Sequence, residues 1–532
     1  MKTLRIIGAL VAPLAIAAVA APVALAAPQP RVALQSDAVS GLNQARSLGE
    51  MPAAQRVSVA VSLNLRNGAE LDRTIAAVND PHSSQYGHFL TPEQFTARFG
   101  PTDDQVNRVK EYLRGQGLSV DSVSANHLTV DASGPATAVQ KAFGTTLANY
   151  RDGKTNRPFY ANTAAPTLPA DLAGTVLDIA GLNNRQVRVH HTKVDPHAGP
   201  GGGFTPTQLK GAYDVSATYN GSGQTVALWE FDGFQQTNIT KYDSYYATGS
   251  PTPKVQKVSG GSGPVGDGQV EVELDIEAIQ AIAPKAAITV FEAPNTDQGE
   301  VDLANAIVAS KISVTSISWG LSEKGRTTSG IQAVDNVLKQ GAAQGQSFFA
   351  ASGDDGSDDN GDGSTTVDFP ASDPNVTGVG GTNLSTSTTT TWKSETGWNG
   401  SGGGYSTVFA LPSFQSGVKI GTTNKRQVPD VSAQGGPTGI SVYTSGQWTS
   451  VYGTSGAAPI WAGVAAVYNQ AAAAAGKTGL GSANAKLYAL AKTNFHDIAS
   501  GSNGAYKAGT GFDLVTGIGS PDTAKILTAG IK

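Results

Sequence analysis

Three short motifs in the C-terminal half of the chain combine residue types that could act together in nucleophilic catalysis. The first, Gly453-Thr454-Ser455-Gly456-Ala457-Ala458-Pro459, precedes a long apolar helix predicted from Ile460 to about Ala475. A serine at this position lies at the positive end of a helix dipole, where developing negative charge is stabilised. Ser455 or Thr454 would equally serve as a simple N-cap of a buried helix, with Pro459 in its first turn. The motif by itself leaves both interpretations open.

The second motif is the acidic run Glu271-Val272-Glu273-Leu274-Asp275-Ile276-Glu277. In a helix, Glu271 and Asp275 lie one turn apart on one face, and Glu273 and Glu277 lie one turn apart on another. Like charges at this spacing disfavour joint ionisation, so such a pair tends to share a proton and is useful for acid–base chemistry. A solvated acidic face, or the polar side of an alternating strand, would produce the same pattern.

The third motif, Ser352-Gly353-Asp354-Asp355-Gly356, directly follows an apolar strand predicted at Ser347 to Ala351. Ligand sites in open parallel sheets lie at the carboxyl ends of strands, so Asp354 is well placed for a site. A carboxyl group kept protonated there can donate a hydrogen bond to an oxyanion. An ordinary Asp-Gly turn is the alternative.

Histidine and cysteine usage narrows the possible nucleophiles and bases. The chain has 7 His and no Cys, which excludes disulfides, thiolate metal sites and a cysteine nucleophile. Only His496 lies beyond the glycine-rich stretch Pro200-Gly201-Gly202-Gly203, and we do not expect it to serve Ser455, because it sits in a separate His496-Asp497-Ile498 motif. A Ser-His-Asp arrangement is therefore disfavoured. A serine with a carboxylate base is the natural interpretation, and such a base points to acidic pH.

The N-terminus has the features of a secretory signal peptide. Lys2 and Arg5 precede an uncharged run from Ile6 to Ala27 that ends near the small-residue site Ala24-Leu25-Ala26. We expect a signal peptide at residues 1–26 and a secreted, extracellular protein without stable membrane association. A retained membrane anchor is the alternative, since a run of this length could span a bilayer.

Length and charge predict further organisation of the exported chain. The 532 residues suggest two or three domains, and the net charge of −5 argues against nucleic acid as a partner. Residues 28–197 contain 16 Lys and Arg against 15 Asp and Glu, whereas residues 198–532 contain 19 against 27. This shift and the glycine-rich stretch predict a boundary between residues 27–195 and residues 196–532.

The two blocks differ in their predicted elements. The first begins with an alternating strand at Val57 to Val61 and contains a helix start at Thr91-Pro92-Glu93-Gln94. The second alternates apolar strands with helical patterns, which favours an α/β fold with a parallel sheet and helices on both faces. The strands predicted for this second block are Thr225–Trp229, Ala287–Phe291, Ser313–Ile317 and Ser347–Ala351.

These motifs together resemble the sedolisin family of serine-carboxyl peptidases, and in particular its kumamolisin-like members. The resemblance covers nearly the whole chain after the signal peptide. The first block is similar to the pro-kumamolisin activation domain through Asp80-Pro81-His82-Ser83-Ser84-Gln85-Tyr86-Gly87 and Leu90-Thr91-Pro92-Glu93. The resemblance implies a subtilisin-like parallel sheet with helices on both faces, preceded by a smaller α+β ferredoxin-like prodomain.

The resemblance also implies roles for individual residues. Ser455 would be the nucleophile, Glu271 the general base with Asp275 behind it, and Asp354 the oxyanion donor. Five further residues would line the substrate cleft or support the base. They are Glu230, the segment Ser318-Trp319-Gly320, and Asp368, which would favour a basic residue beside the cleaved bond.

A calcium site is implied near the C-terminus. The resemblance predicts one structural Ca²⁺ ion bound by the carboxylates of Asp497 and Asp513 and the carbonyls of Ile498, Gly509 and Gly511, an all-oxygen set that suits a hard cation. A second acidic stretch, Asp358-Asp359-Asn360-Gly361-Asp362-Gly363, imitates the start of a calcium loop. It lacks the closing acid, because Phe369 stands at the twelfth position, and we interpret it as a surface loop.

The function that these observations predict is a secreted, acid-active endopeptidase made as a self-processing zymogen. Its partners would be protein or peptide substrates and its own propeptide, an intramolecular inhibitor removed near residues 185–204, and we expect a monomer. Three alternatives remain. They are a tripeptidyl-type exopeptidase of the same family, a catalytically silent secreted binding protein on this scaffold, and a neutral subtilisin-type protease, which would lack its histidine.

Overall fold

The computed structural model describes residues 30–39, 41–195, 202–388, 390–491 and 493–531, together with Met1. Apart from Met1, the predicted signal peptide lies outside the described residues, as do residues 196–201 at the predicted domain boundary. Within the described ranges, no helix is both long enough and apolar enough to cross a membrane.

The N-terminal part is built on a four-stranded antiparallel sheet that carries helices on one side. The strands up to residue 195 are β1 (Arg31–Ala33), β2 (Arg46–Glu50), β3 (Arg56–Leu63), β4 (Ser119–Val123), β5 (Thr129–Pro135), β6 (Leu147–Arg151), β7 (Pro158–Asn162), β8 (Thr167–Pro169), β9 (Val176–Ala180), β10 (Val189–His190) and β11 (Lys193–Asp195). Of these strands, β3, β4, β5 and β9 form the four-stranded sheet. The helices of this part are α1 (Gly68–Asn79), α2 (Pro92–Phe99), α3 (Asp103–Gly115), α4 (Ala136–Phe143) and α5 (Ala170–Ala173).

The sheet order β4-β5-β3-β9, antiparallel throughout, is the arrangement expected of a ferredoxin-like prodomain. Along β3, Val57, Val59 and Val61 point to one face and pack against the apolar side of α3 and α4, as the period-2 pattern predicts. The predicted helix start is also present, because Thr91 forms a capping box with Gln94 and Pro92 opens α2.

The C-terminal part is a large mixed sheet with helices on both faces. Its strands are β12 (Thr225–Glu230), β13 (Lys254–Lys257), β14 (Ala287–Glu292), β15 (Val314–Ile317), β16 (Trp319–Ser322), β17 (Ser347–Ala351), β18 (Asp368–Phe369), β19 (Thr377–Thr386), β20 (Trp392–Gly397), β21 (Gly404–Ala410), β22 (Lys425–Val428), β23 (Val431–Gln434), β24 (Ile440–Thr444), β25 (Gln447–Tyr452), β26 (Phe495–His496) and β27 (Ser520–Pro521). Its helices are α6 (Pro206–Ala212), α7 (Gln236–Tyr246), α8 (Gln269–Ile282), α9 (Asp297–Ser310), α10 (Thr328–Ala343), α11 (Thr454–Ala474), α12 (Ala483–Leu490) and α13 (Thr523–Gly530).

The central sheet has the order β13-β14-β12-β15-β17-β19-β20, with β23 also paired to β19. All neighbours run parallel except β20, which is antiparallel to β19. Each of the four predicted strands is present, with its ends shifted by at most one residue. Because the strands are parallel, their carboxyl ends share one edge of the sheet, where Glu230 ends β12 and where Ser318 and Asp354 follow β15 and β17.

Two layers of helices bury the faces of this sheet. Along β12, Val226 and Leu228 point toward the core that contains α8 and α11. Ala227 and Trp229 point toward the core that contains α9 and α10. The prodomain docks on the second layer, where Asn126 hydrogen bonds Asn305 of α9 at 2.8 Å and Gln340 of α10 at 2.7 Å.

Candidate active site

The first acidic pair of α8 is fully buried. Glu271 and Asp275 have no solvent exposure, as part of a helix that is buried from residue 271 to residue 282. The alternatives of a solvated acidic face and of a polar strand side are therefore wrong. Both side chains point to the edge of the sheet where β12 and β15 end, because Asp275 Oδ1 accepts a hydrogen bond from Ser318 Oγ at 2.8 Å.

The second acidic pair of α8 has a structural role. Glu273 Oε1 accepts hydrogen bonds from the backbone N–H of Gln235 and from Asn238 Nδ2, both at 2.9 Å, and so holds the start of α7. Glu277 accepts the N–H of Tyr443 on β24 at 2.8 Å. Two pairs with the same spacing thus serve different purposes, and only the surroundings of the helix distinguish them.

Ser455 is the second residue of α11 and has no solvent exposure. The residue that caps this helix is Gly453, without a side-chain cap, so the interpretation of Ser455 as an N-cap is wrong. Pro459 lies inside the helix rather than in its first turn as predicted. The N–H of Ser455 is one of those that a helix leaves without an internal partner, and it donates to the carbonyl of His191 at 3.2 Å.

Asp354 lies across the helix start from Ser455, where a turn after β17 places it. Its Oδ1 accepts hydrogen bonds from both the N–H and the hydroxyl of Thr454, at 2.8 and 2.9 Å. Among the described residues no donor reaches its other oxygen, Oδ2. Burial raises the pKa of Asp354 above its usual range, although His191 opposes the shift. A raised pKa favours the protonated form that can donate a hydrogen bond.

Three carboxyl groups form a buried row behind the serine. Burial, together with the charge of Asp275, raises the pKa of Glu271 well above its usual range, while the nearby Ser455 hydroxyl and the charge of His191 oppose this shift. Burial raises the pKa of Asp275 to about 8. Burial and the charge of Asp275 likewise raise the pKa of Glu230, whose Oε2 accepts a hydrogen bond from Trp319 Nε1 at 2.7 Å. Such a row shares protons among its members and titrates as a unit.

The segment that follows the prodomain runs through this site as an extended chain. Its residues Val189 and His190 form β10, which pairs antiparallel with β16, so that Val189 lies opposite Gly320 and His190 opposite Trp319. After two residues, β11 pairs antiparallel with β25 on the other side of the site. The chain is thus held by main-chain pairing on both sides of Ser455, as a bound peptide would be.

The carbonyl of His191 lies at the start of α11, against the backbone of Ser455. It accepts the N–H of Ser455, and the N–H of His191 donates to the carbonyl of Ser318 at 3.3 Å and to Ser455 Oγ at 3.1 Å. A Cβ on Gly453 would lie 2.1 Å from this carbonyl oxygen and 2.6 Å from Asp354 Oδ2. Both oxygens therefore lie above the bare glycine backbone, where Gly453 has a φ of 141°.

The side chain of His191 enters an acidic pocket. Its Nε2 lies 3.3 Å from Asp368 Oδ2, and both side chains are buried. Burial alone would lower the pKa of His191, but the charge of Asp368, with smaller contributions from Asp354 and Asp359, raises it to about 10. Asp368 Oδ1 would lie 1.9 Å from a Cβ at position 320, so this pocket requires Gly320.

The neighbours of His191 also contact predicted site residues. His190 packs edge-on against Trp319, with ring centroids 5.3 Å apart, and its Nδ1 lies 3.5 Å from Glu271 Oε2. Thr192 donates its hydroxyl to the same oxygen of Glu271. Lys193 Nζ donates to the carbonyl of Asp354 at 3.2 Å. Most residues predicted for catalysis or for the cleft therefore contact the segment 188–195 directly, whereas Asp275 and Glu230 contact Ser318 and Trp319 instead.

The predicted calcium residues lie together at a separate place. The N–H of Gly511 donates to Asp497 at 3.0 and 3.1 Å to its two oxygens, and the N–H of Gly509 donates to Asp513 Oδ2 at 3.0 Å. The loop 509–511 thus lies between the two carboxylates, and its donor set is all oxygen. Within the described part of the chain, no three His, Asp or Glu side chains converge on a metal position, so a cation here would need backbone carbonyls as ligands, including that of Ile498.

The remaining acidic loop and the C-terminal histidine have other contacts. Asp358 accepts the N–H groups of Asp362 and Gly363, at 3.1 and 2.8 Å, which closes the loop on itself. Asp362 is paired with Lys324. His496 stacks on Trp392 at 4.2 Å between ring centroids.

Comparison with known proteins agrees with this geometry. Residues 43–185 match the family model "Pro-kumamolisin, activation domain", and residues 260–507 match "Subtilase family". Sedolisin of Pseudomonas sp. (strain 101) is 36% identical over 91% of this chain and 88% of its own length. Kumamolisin of Bacillus sp. (strain MN-32) is 33% identical over 91% of this chain and 94% of its own length.

The chain belongs to the sedolisin family. It is a serine-carboxyl peptidase with a prodomain. The solved structure of Pseudomonas sedolisin, a serine-carboxyl proteinase with two molecules of pseudo-iodotyrostatin, superposes with a TM-score of 0.56 at 32% identity, and covers 62% of this chain and 97% of that one. Mouse tripeptidyl-peptidase 1 is a more distant relative, 27% identical over 90% of this chain and 92% of its own length.

The sedolisin site contains residues that the sequence did not reveal. Thr454 orients Asp354, and the only signal for it was its place beside Ser455 in the motif. Asn295, Asp297 and Glu300 contact the segment in the cleft. The sequence signal for these three residues was their position just after β14, because polar residues that follow a parallel strand face the ligand edge of the sheet.

Proposed function

We propose that this sedolisin is a secreted, acid-active endopeptidase that activates itself by cleaving its own chain between His191 and Thr192. The observation that carries this proposal is the placement of the His191 carbonyl on the N–H of Ser455, beside the free oxygen of Asp354. The bond lies inside the window 185–204 expected from the sequence. It also lies just beyond residue 185, where the match to the activation domain ends.

In the first step, Ser455 Oγ attacks the carbonyl carbon of His191 while its proton passes to Glu271. Glu271 Oε1 has no hydrogen-bond partner among the described residues, and it is the oxygen left to accept the proton, since Oε2 is engaged by Thr192. The carbonyl oxygen becomes an oxyanion, which accepts hydrogen bonds from the N–H of Ser455 and from protonated Asp354. Asp275 stabilises the proton on Glu271 by sharing it within the buried row.

In the second step, the bond to the nitrogen of Thr192 breaks and Glu271 returns its proton to that nitrogen. The prodomain, ending at His191, remains attached to Ser455 as an ester. A water molecule that loses its proton to Glu271 attacks this acyl-enzyme, releases His191 as a carboxylic acid and regenerates the serine. No group outside this chain is needed for either step.

The acidic working range follows from opposite requirements of two carboxyls. Glu271 must be ionised and Asp354 protonated, and the raised pKa of Asp354 keeps its proton in place over more of the acidic range. Burial raises the pKa of Glu271, and part of that burial comes from the segment 188–195 itself. The segment acts on this pKa in two directions, because it covers Glu271 and also places the charge of His191 near it, which lowers the pKa.

An endopeptidase is favoured over the tripeptidyl alternative because the cleft holds more than three residues before the bond. Arg188 is the fourth residue before the bond, and its main chain is bound by Asn295. Asn295 Oδ1 accepts the N–H of Arg188 at 2.8 Å, and Asn295 Nδ2 donates to the carbonyl of Arg188 at 2.9 Å. From Arg188 the chain continues directly into the prodomain, so the cleft is open at this end. Product lengths from an N-acetylated peptide distinguish the two activities, since a tripeptidyl-peptidase needs a free amino terminus.

A structural Ca²⁺ ion and export complete the proposal. The oxygen-rich loop around Asp497 and Asp513 is suited to hold the ion, together with the carbonyls of Ile498, Gly509 and Gly511. In a chain without disulfides, a bound ion would add stability outside the cell. Export rests on the leader at residues 1–26.

The decisive experiment incubates the purified zymogen and its Ser455→Ala variant at pH 4 and at pH 7.5. Intact mass and N-terminal sequencing follow the products. We expect a new N-terminus at Thr192 at pH 4, formed at a rate independent of protein concentration, and no product from the variant. Processing at pH 7.5 alone would contradict Glu271 as the base, and a first cut at another bond would contradict the register of the segment.

A further inference from the structure

Arg188 is an arginine without any solvent exposure in the segment that crosses the cleft. Its Nη2 lies 2.7 Å from Asp297 Oδ1 and 2.6 Å from Glu300 Oε2. Burying a guanidinium is costly unless it is paired, so these two carboxylates are what holds this side chain inside. Both acids belong to the first turn of α9, in the catalytic part of the chain.

The position of Arg188 relative to the reacting bond is set by the strand pairing. With the carbonyl of His191 at Ser455, Arg188 is the fourth residue on the N-terminal side of the bond. Its main chain is gripped by Asn295 through both N–H and carbonyl, contacts that any amino acid except proline could make. The selective contacts at this position are therefore those of the side chain.

The pocket keeps one unbalanced negative charge when Arg188 is absent. Arg326 donates to Glu300 through both Nη1 and Nη2 and stays in place after activation, because it lies in the catalytic part. Without Arg188, Arg326 still neutralises Glu300, but Asp297 has no ion-pair partner among the described residues. With Arg188 in place, burial alone would raise the pKa of Glu300, but Arg188 and Arg326 lower it to about 2, so Glu300 is charged in the acidic range when the pocket is filled.

The pocket has room for side chains other than the native one. It opens into a cavity of about 320 Å³, lined on the catalytic side by Asp297, Glu300 and Arg326. Arg188 reaches both acids through one nitrogen, and its Nε and Nη1 have no hydrogen-bond partner in the part of the chain that the structure describes. The contact with both acids is thus made by one nitrogen at the far end of the long arginine side chain.

We propose that Asp297 and Glu300, with Asn295, form a cation-binding subsite that selects arginine at the fourth residue before the cleaved bond, in peptide substrates as well as in the activation segment. This inference rests on the proposed function, since it uses the register in which His191–Thr192 is the cleaved bond. Lysine fits the same subsite less well, because its shorter reach leaves one of the two carboxylates without contact. Neutral side chains leave the partly exposed Asp297 without a cation.

The test uses the mature enzyme and the peptide acetyl-Arg-Val-His-His-Thr-Lys-Val-amide, which copies residues 188–194. Three further peptides replace the arginine by lysine, by citrulline, which has the same shape without the charge, and by alanine. The readouts are kcat/KM at acidic pH and the cleaved bond, identified by mass spectrometry. We expect kcat/KM for arginine to exceed that for citrulline by at least about tenfold, with lysine between them.

A variant assigns the preference to the pocket. In Asp297→Asn the arginine-to-citrulline ratio falls toward one, whereas Asp243→Asn, which removes a carboxylate from α7 away from the cleft, retains the wild-type ratio. If Asp297→Asn fails to mature, the comparison of the four peptides with the wild-type enzyme still tests the subsite. Equal kcat/KM for arginine and citrulline, with both peptides cut at the His–Thr bond, overturns the subsite and leaves the proposed function standing. Failure to cleave any of the four peptides refutes the proposed endopeptidase activity and with it the subsite.

Discussion

Thr454 directs both its backbone N–H and its hydroxyl to a single oxygen of Asp354, at 2.8 and 2.9 Å. Because Oδ1 accepts two hydrogen bonds, a proton on this carboxyl belongs on Oδ2. That oxygen faces the bare backbone of Gly453 and the carbonyl of His191. The residue before the nucleophile thus decides which oxygen of the acid can donate to an oxyanion.

Replacing Asp354 by asparagine should preserve the hydrogen-bond geometry of the site and change the pH dependence of kcat/KM. The amide oxygen can accept both hydrogen bonds from Thr454, and the amide nitrogen then takes the place of Oδ2. The raised pKa of Asp354 means that the wild type loses its donor as pH rises through that pKa. We expect the alkaline limb of kcat/KM against pH to move upward in Asp354→Asn, measured with the peptide copied from residues 188–194.

The acidic limb of the same profile reports ionisation of Glu271, and because the charge of Asp354 raises that pKa, this limb should not move upward in Asp354→Asn. Asp354→Ala, which has no donor, should lose about 10²–10³-fold in kcat at acidic pH, where Asp354 of the wild type is protonated. An unshifted alkaline limb in Asp354→Asn would show that another group sets it.

Gly453→Ala should block the oxyanion site. Its Cβ would lie 2.1 Å from the carbonyl oxygen of His191 and 2.6 Å from Asp354 Oδ2, so both the segment and a substrate carbonyl are displaced. We expect self-processing and peptide cleavage to fall by about 10²-fold or more. Gly417→Ala is the matched control, since a Cβ at Gly417 meets nothing within 4 Å. Full activity of a folded Gly453→Ala protein would refute the placement of the oxyanion.

A carboxyl pair across the prodomain interface should make the zymogen more stable in acid. Asp131 of β5 lies beside Asp302 of α9, and burial together with the charge of Asp131 raises the pKa of Asp302 to about 7. A raised pKa in the folded state means that this stabilisation is complete below about pH 4 and is lost as pH rises through about 7. At about 1.4 kcal/mol per pKa unit, the shift corresponds to a stabilisation of at most about 4 kcal/mol.

Thermal unfolding of the Ser455→Ala zymogen, with and without Asp302→Asn, measures this effect. The amide preserves a hydrogen bond to Asp131 without needing a shared proton. The Tm difference between pH 5 and pH 8 should therefore be smaller in Asp302→Asn. An equal difference in both proteins would show that other groups set the pH dependence.

Removal of calcium should lower the Tm of the mature enzyme. At a free calcium concentration about 100 times the dissociation constant, a bound ion contributes about 2.7 kcal/mol. We expect a chelator to lower the Tm of the wild type and to have little effect on Asp513→Asn, which has already lost a ligand. Asp362→Asn, in the other acidic loop, should respond to the chelator as the wild type does. A chelator effect that disappears in Asp362→Asn would place the ion in that loop instead.

Much of this architecture was predictable because its signals are local. Strand and helix alternate within short windows, so the parallel sheet of the catalytic part and its ligand edge follow from hydrophobic pattern alone. Glu271 and Asp275 are one helical turn apart, and Asp354 directly follows a buried strand, so their neighbourhoods depend on nearby residues. The ferredoxin-like prodomain and the roles of single residues came from the family resemblance carried by the motifs.

Only the tertiary structure decided which local features meet. Glu273 and Glu277 have the same spacing as Glu271 and Asp275, and the packing of α8 alone turns one pair to the serine and the other to α7 and β24. The pairing of Arg188 with Glu300 joins positions 112 residues apart in the chain. Contacts of that kind depend on how whole layers pack, and periodicity within a short window carries no information about them.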